Sequence, residues 1–117
     1  MSALAMLLIA LVALLHLGFL VLEMFLWTRP LGLKVFRQSR EKAELSRVLA
    51  ANQGLYNGFL AAGLIWSLGG KRVDVAAFFL VCVVVAGAYG AVTVNRRIFL
   101  IQALPALLAL VALRLTA

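Results

Sequence analysis

The chain of 117 residues is 66% hydrophobic and only 13% charged, and its mean hydropathy is +1.12. A soluble domain is about half apolar and about a quarter charged, and so short a soluble chain could not bury this much apolar surface. Eleven Lys and Arg against four Asp and Glu give a net charge of +7, but most basic residues lie between apolar stretches. The positive-inside rule explains that distribution, so we expect membrane lipids as partners and no nucleic acid.

Four apolar stretches follow one another along the chain and predict an all-α, polytopic membrane protein. We expect a four-transmembrane-helix bundle that forms a single transmembrane domain over residues 1–117, with helices at about 3–27, 40–69, 73–94 and 97–115. The apolar part of each is close to the ~20 residues that cross ~30 Å of hydrocarbon. The first stretch is too long for a cleaved signal and lacks a basic n-region, so we expect it to span the membrane as an ordinary helix.

Local signals predict where these helices begin and end. Arg29-Pro30 blocks continuation of the first helix, and residues 31–38 read as a connector at the lipid headgroups. Ser39 is the expected N-cap of the second helix. Pro105 lies inside the fourth span, where neighbouring helices can satisfy the carbonyl that it frees.

The distribution of basic residues predicts the orientation. Eight of the eleven lie in the first and third connectors and three lie on the opposite side, which places both connectors in the cytoplasm and both termini outside. We expect a multi-pass protein of a bacterial inner (plasma) membrane. The eight residues are Arg29, Lys34, Arg37, Arg40, Lys42, Arg47, Arg96 and Arg97.

Polar side chains inside the spans are the candidate functional residues, because such groups are costly in hydrocarbon. At about 1.5 Å per residue, they all fall in the cytoplasmic half of the membrane. We therefore expect a pocket bounded by four helices and open toward the cytoplasm or the inner leaflet. The candidates are His16, Glu23, Asn52, Gln53, Tyr56, Asn57, Tyr89 and Gln102.

Glu23 is the strongest candidate for chemistry, since a carboxyl group in hydrocarbon must either carry a proton or meet a cation. His16 lies seven residues earlier on the same helix face, and the two are the catalytic candidates. The remaining six would bind a ligand through hydrogen bonds. A structural role for His16 and for the amide cluster stays open, because amides also join membrane helices. With a lone Cys82 and no metal or cofactor motif, we expect neither a metal nor a cofactor.

Small residues recur at every fourth position of the second helix, from Ala50 through Gly54 and Gly58 to Ala62. The third helix repeats the pattern around Ala86 and Gly90. Such stripes let helix backbones approach closely in lipid. They favour pairing of the second and third helices, and a homodimer is the alternative.

The order of these elements also resembles a known family. The chain carries His16-x-x-Phe19-x-x-x-Glu23-Met24-x-x-Trp27, Asn52-Gln53-Gly54-x-Tyr56-Asn57-Gly58, Ala86-Gly87-x-Tyr89-Gly90 and Gln102-x-x-Pro105-Ala106. These runs resemble the small integral membrane proteins grouped as domain of unknown function 1304, and the likeness extends over essentially the whole chain. The resemblance implies four membrane helices and brings no settled activity with it.

Three functions are compatible with these features. The leading hypothesis is a cytoplasm-side pocket that binds, and in the enzymatic version acts on, a small amphipathic or lipid-like molecule. One alternative is a small proton-coupled transporter acting as a homodimer, which the nearly apolar outer half disfavours. The other is a structural or accessory membrane subunit without its own activity.

Overall fold

A computed structural model describes residues 1–116, which form helices joined by short connections. Within that range the all-α expectation is confirmed. The helices are α1 (Ala3–Met24), α2 (Pro30–Phe36), α3 (Arg40–Leu45), α4 (Arg47–Gly69), α5 (Val73–Thr93), α6 (Arg96–Ile98), a π-helical segment (Phe99–Ala103) and α7 (Leu104–Thr116).

Three helices of the described chain are long and apolar enough to cross a membrane: α1, α5 and the helix over Arg96–Leu115. They have 22, 21 and 20 residues, which at about 1.5 Å per residue is close to the thickness of the hydrocarbon layer. The chain is therefore a helical, multi-pass membrane protein. Helix α4 has 23 residues, but its polar side chains keep it outside this set.

The described backbone divides into two compact units, the first of which comprises residues 1–15 and 60–116. Its apolar core includes Ile9, Val12, Leu64, Leu80 and Val83, all fully buried. Alanines of α7 lie in the same core as these large side chains. Burial of this apolar set holds the first unit together.

Close backbone approach joins α5 to the last helix within the first unit. A Cβ atom added to Gly87 would lie 2.6 Å from Cβ of Ala103 and 2.9 Å from its backbone nitrogen. A Cβ on Gly90 would lie 2.8 Å from Cγ2 of Ile98. The small residues of the third predicted span therefore pack on the fourth, whereas α4 meets α5 through Gly63, which faces the ring of Phe79.

The last helix passes through a π-helical segment just before Pro105. Proline lacks an N–H, and its ring would clash with the carbonyl of Ile101 in a regular α-helix. A π-turn widens the helix at such a point. The helix then continues as α7 to Thr116, so Pro105 distorts the fourth predicted span without ending it.

The second unit comprises residues 16–59. Here the small-residue stripe of α4 packs on α1. A Cβ on Gly54 would lie 2.7 Å from Cγ of Met24 and 3.2 Å from the carbonyl oxygen of Leu20, and a Cβ on Gly58 would lie 2.7 Å from Cδ1 of Leu20. These two glycines therefore allow the backbones of α1 and α4 to come together.

Helix α1 ends at Met24, three residues before the predicted end at Trp27. The backbone N–H of Leu26 bonds to the carbonyl of Val21, five residues back, so the helix closes with a widened turn. The buried Gly32 then lies against the backbone of Leu26, too close to leave room for a side chain at position 32. The chain thus folds back directly after α1.

Residues 40–69 form two helices because Ser46 interrupts them. The Oγ atom of Ser46 donates to the carbonyl of Lys42, four residues earlier, at 2.8 Å. Such back-bonding weakens and bends a helix. The expected N-cap is confirmed, since Oγ of Ser39 accepts from the backbone N–H of Lys42 at 3.2 Å.

Candidate functional site

A hydrogen bond joins two helices of the second unit. The side-chain amide of Asn57 on α4 donates from Nδ2 to Oε1 of Glu23 on α1, at 2.5 Å. Asn57 is buried, with 4% of its surface exposed, and Glu23 is half-buried. Two of the residues selected as site candidates are therefore direct partners.

The glycines that flank Asn57 make this contact geometrically feasible. Gly54 and Gly58 lie three residues before and one residue after Asn57, on the side of α4 that faces α1. A Cβ on Gly54 would approach Cβ of Glu23 to 3.1 Å. Because the backbones are this close, the short side chain of Asn57 reaches a carboxyl group on the neighbouring helix.

Three further candidate residues of α4 turn away from this contact. Asn52, Gln53 and Tyr56 are exposed, and Tyr56 has 55% of its surface exposed. At about 100° per residue, Gln53 lies about 40° round the helix from Asn57, Tyr56 about 100° and Asn52 about 140°. We call these four residues the polar arc. It begins at the buried pair and continues onto the outer surface of α4.

The exposed part of the polar arc has hydrogen-bond donors and acceptors that no other residue of the described chain uses. Asn52 donates through Nδ2 to the carbonyl of Val48 on its own helix at 3.0 Å, which leaves its side-chain oxygen as an acceptor. The side chain of Gln53 makes no hydrogen bond within residues 1–116. Tyr56 contacts the ring of Phe59, with centroids 6.1 Å apart. The arc therefore presents donors and acceptors to the surroundings of the helix.

His16 is fully buried. Its ring meets that of Phe19 edge to face, with centroids 5.3 Å apart and an interplanar angle of 76°. Seven residues of α-helix separate His16 from Glu23 by about 10 Å of rise, too far for a direct hydrogen bond. His16 therefore stands apart from the Glu23–Asn57 pair.

Tyr89 and Gln102 belong to the first unit. Tyr89 lies on α5 with 71% of its surface exposed, and its backbone carbonyl accepts from Oγ1 of Thr93 at 2.8 Å. Gln102 is partly buried and lies in the π-helical segment before Pro105. The pocket shared by all four spans stays a prediction.

Within residues 1–116 no group of three or more His, Cys, Asp and Glu side chains is placed to hold a metal ion. Cys82 is a half-buried free thiol on α5. The polar arc and Glu23 together offer one carboxyl group, three amides and a phenol.

One contact in this unit carries no signal in the sequence. The indole Nε1 of Trp27 donates to Oγ of Ser46 at 3.1 Å, and the indole ring lies 4.7 Å from the ring of Phe36. The sequence indicates that Trp27 lies at the membrane interface, but it does not indicate which residue Trp27 contacts. Nineteen residues separate it from Ser46, so no helical period links the two.

Comparisons with known proteins agree with the resemblance drawn from the motifs. The family model described as "Protein of unknown function (DUF1304)" matches residues 10–114. The "Uncharacterized protein YpaA" of Lactococcus lactis subsp. lactis (strain IL1403) is 33% identical over 116 residues, which cover 96% of this chain and 98% of that protein. No solved structure matches the chain. The chain belongs to the DUF1304 family of proteins of unknown function.

Proposed function

We propose that this protein binds a small amphipathic or lipid-like molecule whose polar head meets the polar arc of α4. The observation that carries the proposal is the continuity of the arc, from Asn57, bonded to Glu23, to the exposed Gln53 and Tyr56. A ligand could approach sideways from the lipid, with its polar head on the arc and its apolar tail along the helix. The site is thus a lateral one on the second unit.

The cost of exposed polar groups in hydrocarbon supports this function. An amide without a partner in an apolar medium costs several kcal/mol. The side chain of Gln53 has no hydrogen-bond partner in residues 1–116 and is exposed. A polar headgroup bound there would supply donors and acceptors, and ligand sites commonly combine an apolar surface with a few polar groups of this kind.

Glu23 gives the site the capacity for proton transfer. In this proposal the carboxyl group of Glu23 donates a proton to the bound headgroup or accepts one from it. Asn57 holds that carboxyl group in position. His16 is buried about 10 Å further along α1 and would act as a deeper polar contact. The proposal requires only that the ligand binds; proton transfer by Glu23 would be a further step.

We also propose that α4 is a fourth span and that both termini lie outside the cytoplasm. Its 23 residues are long enough to cross the bilayer. The connector before it carries six of the eleven basic residues, which favours the cytoplasmic side. The bacterial source of the similar YpaA supports a bacterial plasma membrane.

A structural role is the second candidate, and the Glu23–Asn57 bond itself favours it. Amide and carboxyl groups that pair across helices stabilise membrane bundles. On this alternative the protein is an accessory subunit, and the exposed arc meets no small molecule. The two candidates differ in what the exposed residues do, since only a binding site needs Gln53 and Tyr56.

The discriminating experiment is mass spectrometry of small molecules that co-purify with the protein. The double variant Gln53→Leu with Tyr56→Phe leaves the Glu23–Asn57 bond untouched, and Leu55→Val, exposed on α4 outside the arc, is the control. We expect the double variant to retain at least about tenfold less ligand, since each lost hydrogen bond is worth about 1 kcal/mol. Equal retention by wild type and both variants would contradict a ligand site on the arc and favour the structural role over it.

A further inference from the structure

The segment between α1 and α4 carries a concentration of exposed positive charge. We call residues 29–47 the basic connector; it holds six Lys and Arg and only two acids, Glu41 and Glu44, for a net charge of +4. All six cations are exposed: Arg29, Lys34, Arg37, Arg40, Lys42 and Arg47. Within residues 1–116 none of these six side chains forms an ion pair. The charge of the connector is therefore available to an external partner.

Apolar side chains are exposed beside these cations. On α2, Leu31, Lys34 and Val35 share one exposed face, while Gly32 on the other side is buried. Leu45, at the end of α3, has 83% of its surface exposed. A face that mixes Lys or Arg with large apolar residues is typical of a helix lying in the interface of a bilayer.

Contacts within the second unit hold the basic connector in one shape. Trp27 bonds to Ser46 at 3.1 Å and packs on Phe36, so the middle and the C-terminal end of the connector contact the same indole. The close packing of Gly32 against the backbone of Leu26 fixes where α2 begins relative to the end of α1. A site ordered in advance loses less conformational entropy when it binds a partner.

We propose that the basic connector is a binding site for the headgroups of anionic phospholipids. Its charge complements the phosphate groups, and its exposed leucines and valine fit the boundary between headgroups and acyl chains. Guanidinium groups pair well with phosphate oxygens. The site is separate from the polar arc and does not depend on what the arc binds.

Trp27 offers a direct probe of this site. In a Trp66→Phe background it is the sole tryptophan of the chain. The protein is reconstituted into phosphatidylcholine vesicles that contain equal fractions of either brominated phosphatidylglycerol or brominated phosphatidylcholine, and quenching of Trp27 fluorescence gives the relative affinity for the two lipids. We expect phosphatidylglycerol to quench more strongly at equal mole fraction.

The variant Lys34→Gln with Arg37→Gln tests whether the connector causes the preference, and Lys71→Gln with Arg114→Gln removes the same charge elsewhere. Each Lys or Arg near an anionic surface contributes about fivefold in affinity. We expect the preference to fall at least about fivefold in the first variant and to persist in the control. Circular dichroism checks that both variants keep their helices.

Equal quenching by the two brominated lipids, or an unchanged preference in the Lys34/Arg37 variant, would overturn the proposal. Inorganic phosphate added at matched ionic strength separates a lipid site from a site for free phosphate. We expect it to leave the preference unchanged. Loss of the preference at millimolar phosphate would assign the connector to a soluble anion and contradict a lipid site.

Discussion

Asn57 and Glu23 lie 34 positions apart in the sequence, yet Nδ2 of the asparagine lies 2.5 Å from Oε1 of the glutamate. The bond links α4 to α1 at a point where two glycines of α4 present no side chain to α1. Interhelical hydrogen bonds of membrane proteins contribute about 0.6 kcal/mol on average and up to about 2 kcal/mol. The pair therefore both stabilises the second unit and sets the inner end of the polar arc.

Replacing Asn57 with Leu is expected to destabilise the protein. The change leaves the half-buried carboxyl group of Glu23 without its donor, and an unsatisfied polar group costs about 1–3 kcal/mol. The thermal unfolding midpoint in detergent should fall by several degrees. Glu23→Gln is the matched control, because the glutamine side-chain oxygen still accepts from Asn57, and its midpoint should stay closer to wild type.

A double-mutant cycle with Glu23→Leu and Asn57→Leu measures the bond itself. We expect a coupling free energy of about 0.5–2 kcal/mol, in the range of interhelical hydrogen bonds. Additive effects of the two substitutions would show that the side chains do not interact.

Gly54→Ala is expected to lower the free energy of unfolding by about 1–3 kcal/mol. The added methyl group would lie 2.7 Å from Cγ of Met24 and 3.2 Å from the backbone oxygen of Leu20. The control is Gly18→Ala, since a Cβ at Gly18 would meet nothing within 4 Å. Because alanine favours helix over glycine, this control should match or exceed wild-type stability, and a similar loss in both variants would contradict the packing of α4 on α1.

Gly87→Ala tests the pairing of α5 with the last helix. Its Cβ would lie 2.6 Å from Cβ of Ala103 and 2.9 Å from the backbone nitrogen, which cannot move aside without shifting the helix. We expect a loss of about 3 kcal/mol, at the upper end for overpacking. Gly69→Ala, where a Cβ would meet nothing within 4 Å, should unfold at about the wild-type midpoint.

Cysteine labelling tests the proposed orientation. In a Cys82→Ser background, Ser39→Cys and Lys71→Cys place single thiols on the basic connector and on the turn between α4 and α5. A maleimide that cannot cross membranes should label the Lys71 position in intact spheroplasts and the Ser39 position only after lysis. Labelling of both positions in intact cells would rule out α4 as a span.

The all-helical fold and the three most apolar spans follow from composition, because hydrocarbon admits only helices or closed barrels. The interruption at Ser46 is less accessible to prediction. It depends on a hydroxyl that bonds back to Lys42 and also accepts from Trp27, and the second bond joins residues 19 positions apart. The periodicity of the local sequence does not indicate a tertiary contact with a residue far along the chain.

The polar residues inside the predicted spans can be listed from the sequence, but the contacts between them cannot. The small-residue stripe through Gly54 and Gly58 indicates a closely packed face of α4, but a glycine does not say which helix it meets. At about 100° per residue, Asn57 falls on that face and Gln53 and Tyr56 fall beside it. The division of the polar arc into a buried end and an exposed end therefore follows only once α1 is known to cover the glycine stripe.

The most direct test of the polar arc as a binding site is a photocross-link from its exposed end. The photoreactive residue p-benzoylphenylalanine replaces Tyr56, and replaces Phe78, exposed on α5, in a control. After irradiation in native membranes, we expect intact-mass spectrometry to find one discrete amphipathic adduct at position 56 and none of that mass at position 78. The same mixture of bulk phospholipids at both positions, or a cross-linked pair of chains at position 56, would contradict a dedicated ligand site.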